Sequence, residues 1–298
     1  MGTKTNTAEQ EKQRIAVVKF GGSFATNPDS GEIQPDYFEK FFSEFASVLI
    51  DRYAKIGLIV GGGPKVRREQ RAAGDISSPA KDRLAKVMMH KNAETLRWMA
   101  GDYGLNVAPR VPKNENEAKA LAYNEKYNTV SLSWLKEGQS SDASAVYLLT
   151  QFTEALSQTT DPEEIELLAM ILSNVLFIYT ADPHAEAEAK AISFATFPAL
   201  IKGGILSKYK KDFKPGMSVT IDPVAVHNLL ALEKKGHVPV VYYTEGRSSN
   251  FRSVRSILEG RPFDKNHPRV GTRIRGGIKD DIIHFYKNPA KRRKQVAR

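Results

Sequence analysis

Two short segments near the start of the chain combine residue types that can hold phosphate. Lys19-Phe20-Gly21-Gly22-Ser23 sets a lysine one residue ahead of a glycine pair, and Gly61-Gly62-Gly63 is followed by Pro64 and then Arg67. Glycine lets the backbone approach a ligand closely, and a helix starting directly afterwards offers unpaired N–H groups and a partial positive charge to an anion. A single such turn is also what a plain strand exit looks like. Two of them, each with a cation beside it, would hold more than one phosphate. Neither matches G-x-x-x-x-G-K-[ST] or G-x-G-x-x-G, which disfavours the two common nucleotide loops. A third segment, Gly138 to Ala145 (GQSSDASA), places Ser140, Ser141 and Asp142 where a helix begins, with Asp142 as a possible cap; capping alone would also account for it.

Strands and helices must present these turns. Ile15 to Phe20 and Ile56 to Val60 are short apolar runs ending in glycine, the pattern of buried strands. Between them, Phe38, Phe41, Phe42, Phe45, Val48 and Leu49 recur at helical spacing from Tyr37 to Tyr53, with Asp36 behind Pro35 as a cap. Pro64 suits the first turn of a helix through Arg71. The pattern further predicts helices over about Asp82 to Ala100 and Pro223 to Lys235. Strands are expected at Leu105 to Ala108, Thr129 to Trp134, Val175 to Tyr179 and Val238 to Tyr243, with an edge strand at Val270 to Ile274. Ser157 to Glu164 reads as a seam between domains, and Gly246 to His267 as a loop-rich excursion. Strands alternating with helices, without hairpin turns, argue for an α/β fold around a mainly parallel sheet with helices on both faces.

Composition narrows the function classes. The 298 residues are 41% hydrophobic and 26% charged, which excludes collagen-like, disulfide-scaffold and wholly disordered chains. No apolar run is long enough to span a bilayer, and the polar start lacks the apolar stretch of a signal peptide. With no cysteine, thiolate metal sites, cysteine nucleophiles and disulfides are excluded, and a reducing cytoplasm fits. None of the six histidines has metal-ligand spacing, so no metal site is expected from protein side chains alone. His90, beside Met88 and Met89, reads as a packed or surface residue. The net charge is +10, but Lys287 to Arg298 contributes six basic residues and no acidic one. That tail reads as a solvated terminus or as a contact for nucleic acid or polyphosphate.

Taken in order, KFGGS (19–23), the glycines at 61–63 with Arg67, Ser140 to Asp142, YTADP (179–183) and IDPVA (221–225) resemble the motif set of the amino-acid kinase superfamily, and within it the uridylate (UMP) kinases of the archaeal kind. The resemblance covers about Ile15 to Ile274. It implies a three-layer αβα sandwich of the carbamate kinase-like type. Residues 1–14 would be a polar leader, 15–160 an acceptor and phosphate lobe, 161–278 an ATP lobe and 279–298 a basic tail. It implies phosphoryl transfer from ATP with Mg²⁺, from UMP to UDP, in a homo-oligomer, a dimer or hexamer, away from membranes. Nucleic acid would be contacted only through the tail.

By the same resemblance, Lys19, Gly21, Gly22 and Ser23 hold the transferring phosphoryl group, and Gly61, Gly62, Gly63 and Arg67 bind the acceptor phosphate. Ser140, Ser141 and Asp142 stand for the family's Thr-Thr-Asp, with Asp142 organising the lysine and donor phosphates. Tyr179, Asp182 and Pro183 line the ATP pocket. Asp82, next to Arg83, stands nearest the family's acceptor-sugar aspartate, and Lys208 in GGILSK is similar to a transition-state lysine of acylphosphate-forming relatives, although a solvated, lysine-rich loop explains it as well. Phosphoryl transfer needs positioning and charge stabilisation rather than a nucleophilic side chain, in keeping with the residues available. Leu176 and Phe177 replace the family's Asp-Gly. They motivate alternative readings: a non-catalytic nucleotide- or oxyanion-binding or storage member of the fold, or a kinase with another small acid or phosphate acceptor.

Overall fold

Strand β1 (Gln13–Phe20) alternates its buried side chains between two cores, Ile15 and Val17 on one face of the sheet and Ala16, Val18 and Phe20 on the other. Burial on both faces is the mark of a strand covered by helices on each side. The computed structural model describes residues 12–74, 77–133, 135–136, 140–181, 186–207, 221–261 and 270–286, without the side chains of 78, 79, 81, 82 and 84. On the chain follow α1 (Gly22–Ala25), α2 (Pro35–Arg52), β2 (Lys55–Val60), α3 (Gly63–Ala72), α4 (Ser78–Asp102), α5 (Glu115–Ala122), β3 (Thr129–Leu132) and α6 (Ser141–Leu156). The remainder comprises β4 (Ile165–Ser173), β5 (Ile178–Tyr179), β6 (Ala191–Thr196), α7 (Phe197–Lys202), α8 (Pro223–Lys234), β7 (Pro239–Glu245), α9 (Phe251–Leu258), β8 (Thr272–Arg275) and β9 (Ile283–Phe285).

These strands form one sheet in the order β3-β2-β1-β4-β7-β8-β6-β5, with β9 on the other edge of β6. The first five run parallel. β8 then runs antiparallel to β7, and β5 and β9 antiparallel to β6. Helices α5 to α8 cover one face and α2, α4 and α9 the other, the three-layer α/β arrangement expected. The phenylalanines of α2 do what their spacing predicted: Phe41 meets Phe20 edge-on at 4.9 Å, and Phe45 meets Phe251 at 5.2 Å. Phe20 is the residue before the first glycine turn, so this aromatic packing anchors the turn from below.

Several expectations change. The central strand β4 occupies 165–173, just past the expected seam, whereas only Ile178–Tyr179 of the anticipated 175–179 run pairs as a strand. Its sequence IELLAMILS is apolar without alternation, which periodicity alone does not tell from a buried helix. Leu105 to Ala108 makes a single bridge through Val107. The stretch 246–267, expected to be loop, contains α9, whose Phe251, Val254, Ile257 and Leu258 form a buried stripe between arginines. β8 lies inside the sheet between β7 and β6 rather than at an edge, and β9 takes the edge with residues assigned to the tail. Asp36 does not cap α2, which begins at Pro35 after Gln34.

His237, past the end of α8, is 5% exposed with Nε2 3.5 Å from Ser157 Oγ. Burial, and after it the charge of Lys235, lower its pKa from 6.5. The unfolded chain therefore takes up a proton near 6.5 that the folded ring resists, and stability present above that pH is lost as pH falls through it. The urea midpoint should drop between about pH 7.5 and about pH 5.5, and drop less in His237→Gln. An equal drop in both would remove His237 as its cause.

Candidate functional site

Parallel pairing of β1 with β2, Phe20 opposite Val60, brings the two glycine turns out of the sheet side by side. Gly61 N–H donates to Phe20 O at 2.9 Å, and Gly21 N–H to Leu172 O at 2.9 Å, so the first turn sits between β2 and β4. The turns touch. A methyl group on Gly22 would lie 2.5 Å from Gly63 Cα and 2.6 Å from Gly61 O, and one on Gly61 would lie 3.4 Å from Ser141 Oγ. Gly63 has φ of 73°, open to glycine but not to a side chain without strain. The Thr26 hydroxyl donates to Gly22 O at 2.7 Å and fastens the first turn from beneath.

Lys19, the penultimate residue of β1 before the glycines, places Nζ 2.8 Å from Asp142 Oδ1, with the two side chains 16% and 8% exposed. Asp142 lies in the first turn of α6, where the helix N-terminus favours its charge. The cap is Ser140 rather than Asp142: its Oγ accepts from Asp142 N–H at 3.1 Å and Ala143 N–H at 3.4 Å. Arg67 projects from α3 at the surface; desolvation and then Arg71 lower its pKa, and guanidinium stays charged. Ser23 is exposed on α1. The structure thus brings together Lys19, the residues of both turns, Ser140, Ser141 and Asp142.

Three further groups belong to this end of the sheet and went unassigned from sequence. Asp222 is fully buried at the start of α8, its Oδ1 accepting from Val224 N–H at 2.6 Å and its Oδ2 from Ser140 N–H at 2.9 Å. It therefore ties the N-terminus of α8 to that of α6. Burial raises its pKa, the hydrogen bonds from Ser140 and Val224 oppose the rise, and nearby Asp142 adds to it. Its signal was available: an aspartate directly before Pro223 is a helix-start pair. Ser173 and Tyr243, at the ends of β4 and β7, share a hydrogen bond of 2.7 Å. Burial raises the Tyr243 pKa, while Ser173 and Lys19 lower it, which sets the phenol within the field of the Lys19–Asp142 pair. Only the strand order could have found these two.

Asp222→Ala strips the acceptor from two N–H groups, and the unfolding free energy should fall by about 2 kcal/mol, the sum of a lost cap and an unsatisfied donor less the relief of repulsion with Asp142. Urea titration measures it; an unchanged midpoint would mean that Asp222 does not hold α6 to α8.

Other expected site residues lie elsewhere or outside the described residues. Tyr179 is half-buried on β5, with β4, β7, β8 and β6 between it and β1 in the pairing order. Asp182, Pro183, Lys208 and the tail from 287 are outside the described residues, as is the side chain of Asp82, whose backbone is in α4. Phe177 is buried and stacked on Tyr286, ring centres 4.8 Å apart, so it packs under the C-terminal segment. Among the described residues no group of three or more metal-ligating side chains occurs, and no helix is long and apolar enough to cross a membrane.

No protein-family model and no curated protein sequence matches the chain. Solved structures do. Uridylate kinase from Archaeoglobus fulgidus superposes with a TM-score of 0.61 at 21% identity, over 87% of this chain and 99% of the other. UMP kinase from Bacillus anthracis gives 0.63 at 16% identity over 93% and 100%, and UMP kinase from Ureaplasma parvum 0.58 at 15% over 89% and 99%. With the strand order and the flanking layers, these likenesses establish that the chain has the amino-acid kinase fold in the form taken by the uridylate kinases.

Proposed function

We propose that this protein is an ATP-dependent phosphotransferase whose acceptor is a nucleoside monophosphate, UMP first among them. One observation carries the reading: two side-chain-free turns in mutual contact, with the Lys19–Asp142 pair beside them. Such a site can hold two phosphoryl groups close together without a side chain between them. Lys19 and the backbone of Gly21, Gly22 and Ser23 take the transferring group; Gly61 to Gly63, the N-terminus of α3 and Arg67 take the acceptor phosphate. Asp142 holds the Lys19 ammonium in place, and Asp222 holds Asp142 through Ser140. The uridylate kinases that share the fold support the acceptor class.

On this reading residues 15–160 form the acceptor half and 161–278 the ATP half, where Tyr179, Asp182 and Pro183 line the nucleotide pocket and Lys208 adds a cation. Asp82 would meet the acceptor sugar. A Mg²⁺ ion fits only as a partner of the nucleotide phosphates: both Asp222 oxygens already accept N–H groups, which leaves Asp142 as the carboxylate in reach. Bound there, it would offset phosphate charge. A cytoplasmic homo-oligomer acting on free nucleotides completes the proposal.

Coupled ADP release with Mg-ATP and a panel of UMP, CMP, AMP and small carboxylic acids tests it, with UMP expected to give the highest kcat/KM. Leu176 and the stacked Phe177 favour a second reading, a member of the fold that binds nucleotide or oxyanion without turnover. Tight ATP binding with no ADP release on any acceptor would select it.

A further inference from the structure

At the end of the sheet opposite the glycine turns lies a cavity of about 680 Å³. Parallel β1, β4 and β7 begin there, and β8, running the other way, ends there, with Arg273 opposite Tyr242 and Arg275 opposite Val240. Arg14 lines this cavity and Lys19 the phosphate end, five residues further along β1, so the two sites stand about 17 Å apart at roughly 3.4 Å per residue.

Five cations, Lys12, Arg14, Arg52, Arg273 and Arg275, face two carboxylates, Glu163 and Glu166. Glu166 is shared, 2.9 Å from Arg14 Nε and 3.8 Å from Lys12 Nζ. Arg52 Nε is buried with no hydrogen-bond partner among the described residues. Helices α2, α8 and α9 end around the cavity, and each C-terminus carries about half a negative charge, roughly 1.5 in all. Against a surplus of three cations that leaves about 1.5 positive charges, close to the magnitude carried by a phosphate monoester at neutral pH. Apolar side chains line it too: Val240, the strand partner of Arg275, and Ile257 and Leu258 of α9.

We infer that this cavity binds a small organic phosphate, its phosphoryl group held by Arg52, Arg273 and Arg275 and its ring or aliphatic part against Val240, Ile257 and Leu258. Guanidinium forks suit bidentate contact with phosphate oxygens. The site stands whether or not the glycine turns transfer phosphate.

Isothermal titration of the full-length chain with phenyl phosphate, and with inorganic phosphate for comparison, tests it. A Lys19→Ala, Arg67→Ala double variant empties the glycine-turn site and should keep one binding site, tighter for phenyl phosphate than for inorganic phosphate. Arg275 is exposed, so Arg275→Glu should leave the fold intact by circular dichroism while weakening that binding by about tenfold or more. Arg275→Lys should recover part of the loss. Binding that survives Arg275→Glu unchanged, or that vanishes in the double variant, overturns the assignment. Equal affinity for the two probes overturns the apolar subsite.

Discussion

Lys19→Met is expected to lower kcat by about 100- to 1,000-fold, the cost of removing one preorganised charge from a transferring phosphoryl group. The acceptor KM should change far less, because the group acts on charge that develops in the transition state. The same substitution leaves Asp142, 8% exposed, without its cation. Stranding a buried charge costs about 3 kcal/mol, of which the N-terminus of α6 returns about 1, so a stability loss near 2 kcal/mol should accompany the kinetic one. Rates are therefore compared at a temperature where circular dichroism finds both proteins folded. Lys19→Met, Asp142→Asn should regain most of the stability and none of the rate. Full activity in Lys19→Met would remove the lysine from the chemistry and the phosphotransfer proposal with it.

Gly22→Ala should be among the most damaging conservative changes at the site. The added methyl meets Gly63 Cα at 2.5 Å and Gly61 O at 2.6 Å, backbone atoms that cannot rotate away. The two turns must part or β1 must shift against β2. A loss of about 3 kcal/mol or more is expected, which for a chain of this size lowers Tm by about 5 °C. Activity should fall beyond what stability explains, since the gap between the two proposed phosphate sites widens. Gly74→Ala is the control: φ is +60° there but no described residue lies within 4 Å of the new methyl, so only the backbone strain of about 1 kcal/mol remains. Equal effects of the two substitutions would show that contact between the turns does not matter.

The features legible from sequence were those set within a few residues. Apolar runs closing on glycine marked β1 and β2, the phenylalanine spacing marked α2, and Pro223 with Gly236 bracketed α8. β4 escaped because a strand buried on both faces loses the alternation that identifies strands, and α9 because two arginines and two serines between its apolar residues mimic a loop. In the site, Lys19 and the glycines announced themselves by type and spacing. Ser173 and Tyr243 did not, since a serine and a tyrosine at strand ends carry no local mark.

By itself the amino-acid order determined which backbone turns are stripped of side chains, where helices begin, and which residues bring charge to the ends of strands. Each of these depends on neighbours a few positions away, within reach of sterics and capping hydrogen bonds. Whether the two turns touch, which carboxylate receives Lys19, and that Asp222 binds the start of α6 were decided by the order and register of β2, β1 and β4 and by the packing of α6 against α8. Those contacts join segments distant along the chain, and only burial of the two cores on either side of the sheet brings them within hydrogen-bonding distance.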